Sequence, residues 1–245
     1  MLGDGGMATI LTPAPAGIDR ERTFFLAMAI AIAVTAVGGF GFFILIGQSS
    51  FGAPWWVHVH ALTMMGWVTL YLVQNLLVWQ GNLALHRRLG MVGAAWSVWM
   101  VLVGFTVTAL SLAAGRAPPF FDPVFFLAMD WLNIFAFAGL VWAGIRLRRR
   151  TDWHRRLMLG GTLVALGPAW GRLLPLPLLG ETVVWWIAGV LLLYFAAGMI
   201  YDWRTRGRVH PAYRWGVGVM LAFVLLIRPL AGFPPFVALA RSITG

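Results

Sequence analysis

The chain has 245 residues, of which 60% are hydrophobic and only 11% charged, less than half the charged share of an ordinary soluble domain, roughly a quarter. Folded in water, so apolar a chain would expose surface costing about 25 cal/mol per Å², so the composition predicts an all-α, polytopic integral membrane protein with the lipid bilayer as its solvent. The absence of cysteine excludes disulfides, thiolate metal sites and iron–sulfur clusters made by this chain, the absence of lysine excludes a retinal-type Schiff base, and a net charge of +10 gathered in arginine clusters between apolar runs points to anionic headgroups and away from nucleic acid.

Residues 1–22 begin with a Gly-, Pro- and Ala-rich stretch and predict a disordered cytoplasmic tail. A transmembrane domain over 23–232 follows, built from segments near the ~20 apolar residues needed to cross about 30 Å of hydrocarbon. There are seven: Phe24–Gly47, His58–Gln80, Leu89–Ala114, Pro123–Ile145, Arg156–Leu174, Thr182–Tyr201 and Ala212–Ala231. The first is about twice the usual apolar length of a signal peptide and is read as retained. Between the first two, residues 48–57 carry Trp55 and Trp56, whose indoles suit an external interfacial segment.

The second span opens with His58 and His60. On a helix the two are rotated by roughly 200°, so they can ligate one metal only where the backbone is still extended. From His60, a stripe of Thr63, Met64, Trp67, Tyr71 and Gln74 recurs at helical spacing. Such a stripe serves either as a hydrogen-bonded helix interface or as the wall of a pocket. The third span is entered through His86, Arg87 and Arg88.

In the fourth span Asp130 lies about 10 Å from the outer end, with Asn133 one turn on. An ionised side chain at membrane depth costs about 2.5 to 3.5 kcal/mol on insertion scales, so partners are expected. Arg172 and Arg228, near the outer ends of the fifth and seventh spans, are the candidates, and with His60 they predict an outward-facing polar pocket. A structural ion pair that clamps helices is the competing reading. The fifth span, entered through His154, Arg155 and Arg156, is interrupted by Gly160, Gly161, Gly167 and Pro168 and is predicted to be kinked. The seventh is entered through His210. Residues 233–245 predict a short periplasmic interfacial tail.

Fourteen of the eighteen arginines fall in the tail or the loops joining spans two to three, four to five and six to seven, and four fall on the other side (Arg116, Arg172, Arg228 and Arg241). The positive-inside rule then puts the N-terminus in the cytoplasm and the C-terminus in the periplasm of a bacterial inner membrane. His86, His154 and His210 all lie at cytoplasmic starts of outward-running spans. They are candidate axial ligands of a b-type haem, with arginines pairing the propionates. Against this, side chains at a helix start lean toward its N-terminus, so these histidines also fit simple helix entries flanked by snorkelling arginines.

His60, Gln74, His86, Asp130, His154, Arg172, Asp202 and His210, with the motifs HxH at 58–60, HRRLG at 86–90, HRRLM at 154–158 and RGRVHP at 206–211, give the chain a resemblance to an uncharacterised family of bacterial seven-span membrane proteins. The likeness runs over nearly all of 22–241 and implies the fold without a chemistry. A looser one, resting on LHRRLG, is to domain-of-unknown-function membrane proteins and diheme transmembrane cytochromes. Diheme cytochromes pair histidines at matched depths, and on the outer side this chain offers only His58 and His60.

Three functions compete. The first is membrane electron transfer with a b-type haem or a quinone, where His86, His154 and His210 would be ligands and Gln74 and Tyr71 ring contacts. The second is a transporter in which His60, Asp130, Arg172 and Arg228 bind a small anion or couple protons, which the broken fifth span favours. The third is a non-catalytic assembly or accessory subunit held by other subunits of a membrane complex. Five scattered histidines are too few for a membrane di-iron hydroxylase.

Overall fold

A computed structural model describes residues 16–244, and among these no strand occurs. Ten α-helices follow in order: α1 (Ala16–Leu45), α2 (Trp55–Trp79), α3 (Leu83–Ala113), α4 (Pro123–Arg146), α5 (Thr151–Ala165), α6 (Gly167–Leu173), α7 (Leu176–Leu179), α8 (Val183–Arg206), α9 (Pro211–Ala231) and α10 (Pro234–Thr244). Six of them, α1, α2, α3, α4, α8 and α9, are long and apolar enough to cross a membrane, the pattern of a multi-pass membrane protein. Apolar side chains such as Leu45, Leu62 and Leu193 lie on the outer surface, where hydrocarbon is the fitting solvent.

Local chemistry fixes several helix ends. Asp122 accepts the amide hydrogens of Val124 and Phe125, and Pro123 occupies the first turn of α4, where its missing N–H costs nothing. Asn82 caps α3 by accepting from Leu85. α8 stops at Gly207, whose φ of 67° is the left-handed conformation that glycine adopts freely. At its other end α1 begins at Ala16, so residues 16–22, which composition alone assigns to a disordered tail, are the first turns of a helix. Residues 1–15 lie outside the described part. The stretch 233–245, expected as an interfacial tail, is helical over Pro234–Thr244 and docks against α3, α4 and α9 by burying Phe236 and Ala240.

The segment 156–174, expected as a single kinked span, is two helices. Pro168 has no N–H to give to the Val164 carbonyl, and the ladder ends at Leu166, which forms the joint between α5 and α6. This broken rod packs against α1, α4, α8 and α9, and Leu159, Leu163 and Val164 are fully buried. Glycines let the neighbours approach. A Cβ on Gly39 would fall 2.4 Å from the Ala169 carbonyl oxygen, and one on Gly161 2.6 Å from the Val141 side chain. Between membrane helices, where lipid tails supply no hydrophobic drive, such close backbone contact is a main source of attraction.

At the arginine-rich end of the bundle a buried ion cluster joins four elements. The fully buried Arg156 of α5 donates from Nε to Asp202 Oδ2 of α8 at 2.8 Å and from a terminal nitrogen to Asp202 Oδ1. It also reaches Glu21 of α1 at 3.2 Å and the Asp152 carbonyl at 2.9 Å. Glu21 is further paired with Arg155 at 2.6 Å and with Arg206. The backbone N–H of His210, just ahead of α9, donates to Asp202 at 3.2 Å. The two HRRL motifs therefore diverge: Arg87 and Arg88 are exposed, while Arg156 is enclosed by carboxylates. Removing one member of a buried ion group strands the others, at a cost of about 3–5 kcal/mol. Arg156→Met should lose that much stability in denaturant unfolding in detergent, and Arg156→Met combined with Asp202→Leu should lose less. A single-variant loss below about 1 kcal/mol would show that the cluster does not hold the helices.

Candidate functional site

A cavity of about 930 Å³ lies in the half of the bundle away from the arginine clusters. Its walls come from α1, α2, α3, α4, the α5–α6 joint, α8 and α9, and it extends to the loops at that end through Gln48, Arg116 and Pro175. That volume is within the range of small-molecule sites, about 300–1,000 Å³. The lining is mostly apolar, with Phe40, Phe43, Met64, Phe126 and Met220 among its residues.

Four of the five residues expected to form a polar pocket line this one cavity: His60, Asp130, Asn133 and Arg172. Arg228 does not. It is mostly exposed and pairs with Glu181 at 3.0 Å, so the expected Asp130–Arg228 contact is not formed. Nor do Asp130 and Arg172 make a direct ion pair. Asp130 Oδ2 accepts from Thr108 at 3.2 Å, while the Arg172 guanidinium lies 4.1 Å from the centre of the Phe40 ring and 5.4 Å from that of Phe43, donating to the Pro168 carbonyl at 2.8 Å. His60 Nδ1 is buried with no hydrogen-bond partner. Asn133 has a structural task. Its Nδ2 donates at 3.1 Å to the Val164 carbonyl, the group that would take the missing N–H of Pro168 in an unbroken helix.

The stripe on α2 divides between the two readings open to it. Thr63 belongs to the interface with α3, its hydroxyl accepting from Trp99 and its carbonyl from Trp96, both at 3.0 Å. Trp67 donates to Thr162 of α5 at 3.3 Å. His60, Met64 and Trp67 also line the cavity, whereas Tyr71 and Gln74 lie further along toward the arginine-rich end and do not. His58 and His60 are no chelating pair. The helix starts at Trp55, so the extended backbone that joint ligation requires is absent, and His58 Nε2 meets the carbonyls of Phe51 at 3.2 Å and Ala53 at 3.0 Å.

The three interfacial histidines do not converge. His86 and His154 approach each other, ring centres 6.4 Å apart. His154 Nδ1 donates to the Gly144 carbonyl at 2.9 Å, which fixes its tautomer, while His86 Nδ1 and the nearby Gln74 Oε1 are buried without partners. His210 has both nitrogens engaged. Its Nδ1 accepts from Ala212 at 3.1 Å, capping α9, and its Nε2–H donates to Asp152 at 2.9 Å. Among the described residues no group of three His, Cys, Asp or Glu is placed to hold a metal ion.

Glu21 was not singled out by sequence reasoning, because an acidic residue in what reads as a tail has no visible partner. Its signal was the scarcity of acids, eight in the whole chain, against which each invites a search for a mate. Thr108 gave no signal at all. Comparison with family models, curated proteins and solved structures finds no match to this chain.

Two outcomes follow from these contacts. Asn133→Leu strands the Val164 carbonyl in the core and should cost about 1–3 kcal/mol, visible as a lower melting temperature in detergent, while Asn133→Gln, if it reaches the same oxygen, should recover part. At the other end, burial favours the neutral acid at Asp152, but the bond from His210 and the Trp153 amide outweigh it and hold the carboxyl below its ordinary value. A depressed acid stabilises the fold above the unfolded-state value, about 4, and loses that contribution as the pH falls through the folded one. Melting temperature should therefore fall less steeply below about pH 4 in His210→Ala than in the parent, and identical acid limbs would refute the linkage.

Proposed function

We propose that the chain is a small-solute carrier of the bacterial inner membrane, with His60, Asp130 and Arg172 forming its binding site. In this reading α5 and α6 together make the fifth of seven crossings, the N-terminus is cytoplasmic and the C-terminus periplasmic, in keeping with fourteen arginines at one end and four at the other. The observation that carries the reading is the meeting of His60 from α2, Asp130 from α4 and Arg172 from α6 on the wall of one cavity, beside a break in a buried helix. Discontinuous helices at membrane depth are tolerated where they line a cavity, and carriers use them to bind substrates. Asp130, with Thr108 as the hydrogen-bonding partner described above, is the group that would exchange a proton with the solute's passage.

A second reading has its own support at the arginine-rich end, where the His86–His154 approach and the unpartnered atoms of His86 and Gln74 suit a b-type haem or a quinone head in electron transfer. Purified protein with a Soret band that His154→Ala abolishes and His210→Ala retains would favour it.

The carrier reading is tested in proteoliposomes with a panel of radiolabelled anionic, cationic and neutral organic solutes. At least one should enter faster than into protein-free vesicles, and Asp130→Asn should slow its initial rate about tenfold, a barrier change near 1.4 kcal/mol, without lowering the melting temperature. No protein-dependent flux for any class would sink the proposal.

A further inference from the structure

Building on the carrier reading, we infer that the occupant of the cavity is an amphipathic organic monoanion, its acidic group held by Arg172 and its hydrocarbon body by the aromatic wall. The titratable side chains on the lining are His60, Arg116, Asp130 and Arg172. With the imidazole neutral, two guanidiniums face one carboxylate, leaving an excess of one positive charge.

Contact geometry shows where hydrogen-bonding capacity is left over. Asp130 is engaged by Thr108 at 3.2 Å, and Arg228, the other cation at this end of α9, is engaged by Glu181. Arg172 has no carboxylate within 4.0 Å among the described residues. It spends one hydrogen on its own helix at Pro168 and otherwise rests on the faces of Phe40 and Phe43. A guanidinium offers five N–H donors in a planar fork that matches a carboxylate or phosphate, so most of that capacity is unused. An incoming anionic group can take up those donors and balance the one excess positive charge of the lining.

The rest of the lining selects the body of the ligand. Phe40, Phe43, Met64, Phe126 and Met220 offer no hydrogen bonds and suit a hydrocarbon body, which a small inorganic anion lacks. A cation would meet the field of two guanidiniums. Arg116, exposed on the loop after α3, lies at the mouth, where its charge raises the local concentration of anions before they reach Arg172.

The test is calorimetric titration of the full chain in lipid nanodiscs with octanoate, octanol and octylamine, with empty nanodiscs as the blank. Octanoate should bind about tenfold or more tighter than octanol, a difference of at least 1.4 kcal/mol, with octylamine weakest. Arg172→Gln should bring octanoate to the level of octanol and leave octanol unchanged, which also reports an intact cavity, while Arg172→Lys should keep a preference for the anion. Should Arg172→Gln fail to fold, the ligand series on the parent protein decides alone. Equal affinity for octanoate and octanol would overturn the anion inference while sparing the cavity as a binding site. A preference for octylamine would overturn it in favour of Asp130 as the anchor. Binding of none of the three would overturn it together with the proposal that this cavity is where the solute sits.

Discussion

The guanidinium of Arg156 is the point on which the arrangement of helices depends. It is fully buried, holds Asp202 with two nitrogens and touches Glu21, so α1, α5 and α8 cannot separate without stranding a charge. Asp202 in turn receives the His210 amide and fixes the approach to α9. Helices in lipid gain little by hiding apolar faces from one another, because lipid is equally apolar. Ionic closure at one end and glycine-mediated backbone contact, as at Gly39 and Gly161, supply what hydrophobic burial supplies in water. A buried ion group is modest in net stabilisation but severe in what its loss costs, and that asymmetry suits a clamp that must set one geometry.

With one end closed, the other can hold a cavity. The closure fixes α5, and the rod then breaks at Pro168, where a missing amide would leave the Val164 carbonyl bare. Asn133 fills that place from α4, so the break is a satisfied structure from which α6 starts. α6 carries Arg172 over Phe40, and Gly39 is what allows α1 to lie so close to the Ala169 backbone. The positive group on the cavity wall is thus a consequence of proline chemistry one turn earlier, of an amide side chain on a neighbouring helix and of a glycine on a third. The two ends also differ in chemistry. At the arginine-rich end the buried Arg156 is matched by carboxylates, whereas the cavity retains Arg172 with no carboxylate in contact and His60 with a free nitrogen.

Much of this could be read from the chain before folding. Apolar composition and arginine spacing mark the helical spans and their loops, because the length of a crossing is set by the bilayer and charge cannot be left inside it. Pro168 marks the break for an equally local reason, its lack of an N–H. The grouping of His60, Asp130, Asn133 and Arg172 was also legible, since polar residues at comparable depth on different spans have few places to go but toward one another.

What only the tertiary structure decided concerns partners. Two nearly identical HRRL motifs carry no local difference, yet one pair of arginines is solvated and Arg156 of the other is sealed in a cluster, because Asp202 and Glu21 lie 46 and 135 residues away in sequence and are brought to it by packing alone. His210 could stand beside His86 and His154 as a ligand by every sequence criterion, until the fold engages both of its nitrogens with Ala212 and Asp152. Arg228 and Arg172 have similar positions at the ends of their helices, and a glutamate in the turn before α8 neutralises one and not the other. Hydrophobic periodicity and backbone chemistry are properties of short segments and survive in the linear chain. Pairing of charges is a property of distances across the bundle, and it exists only once the helices have met.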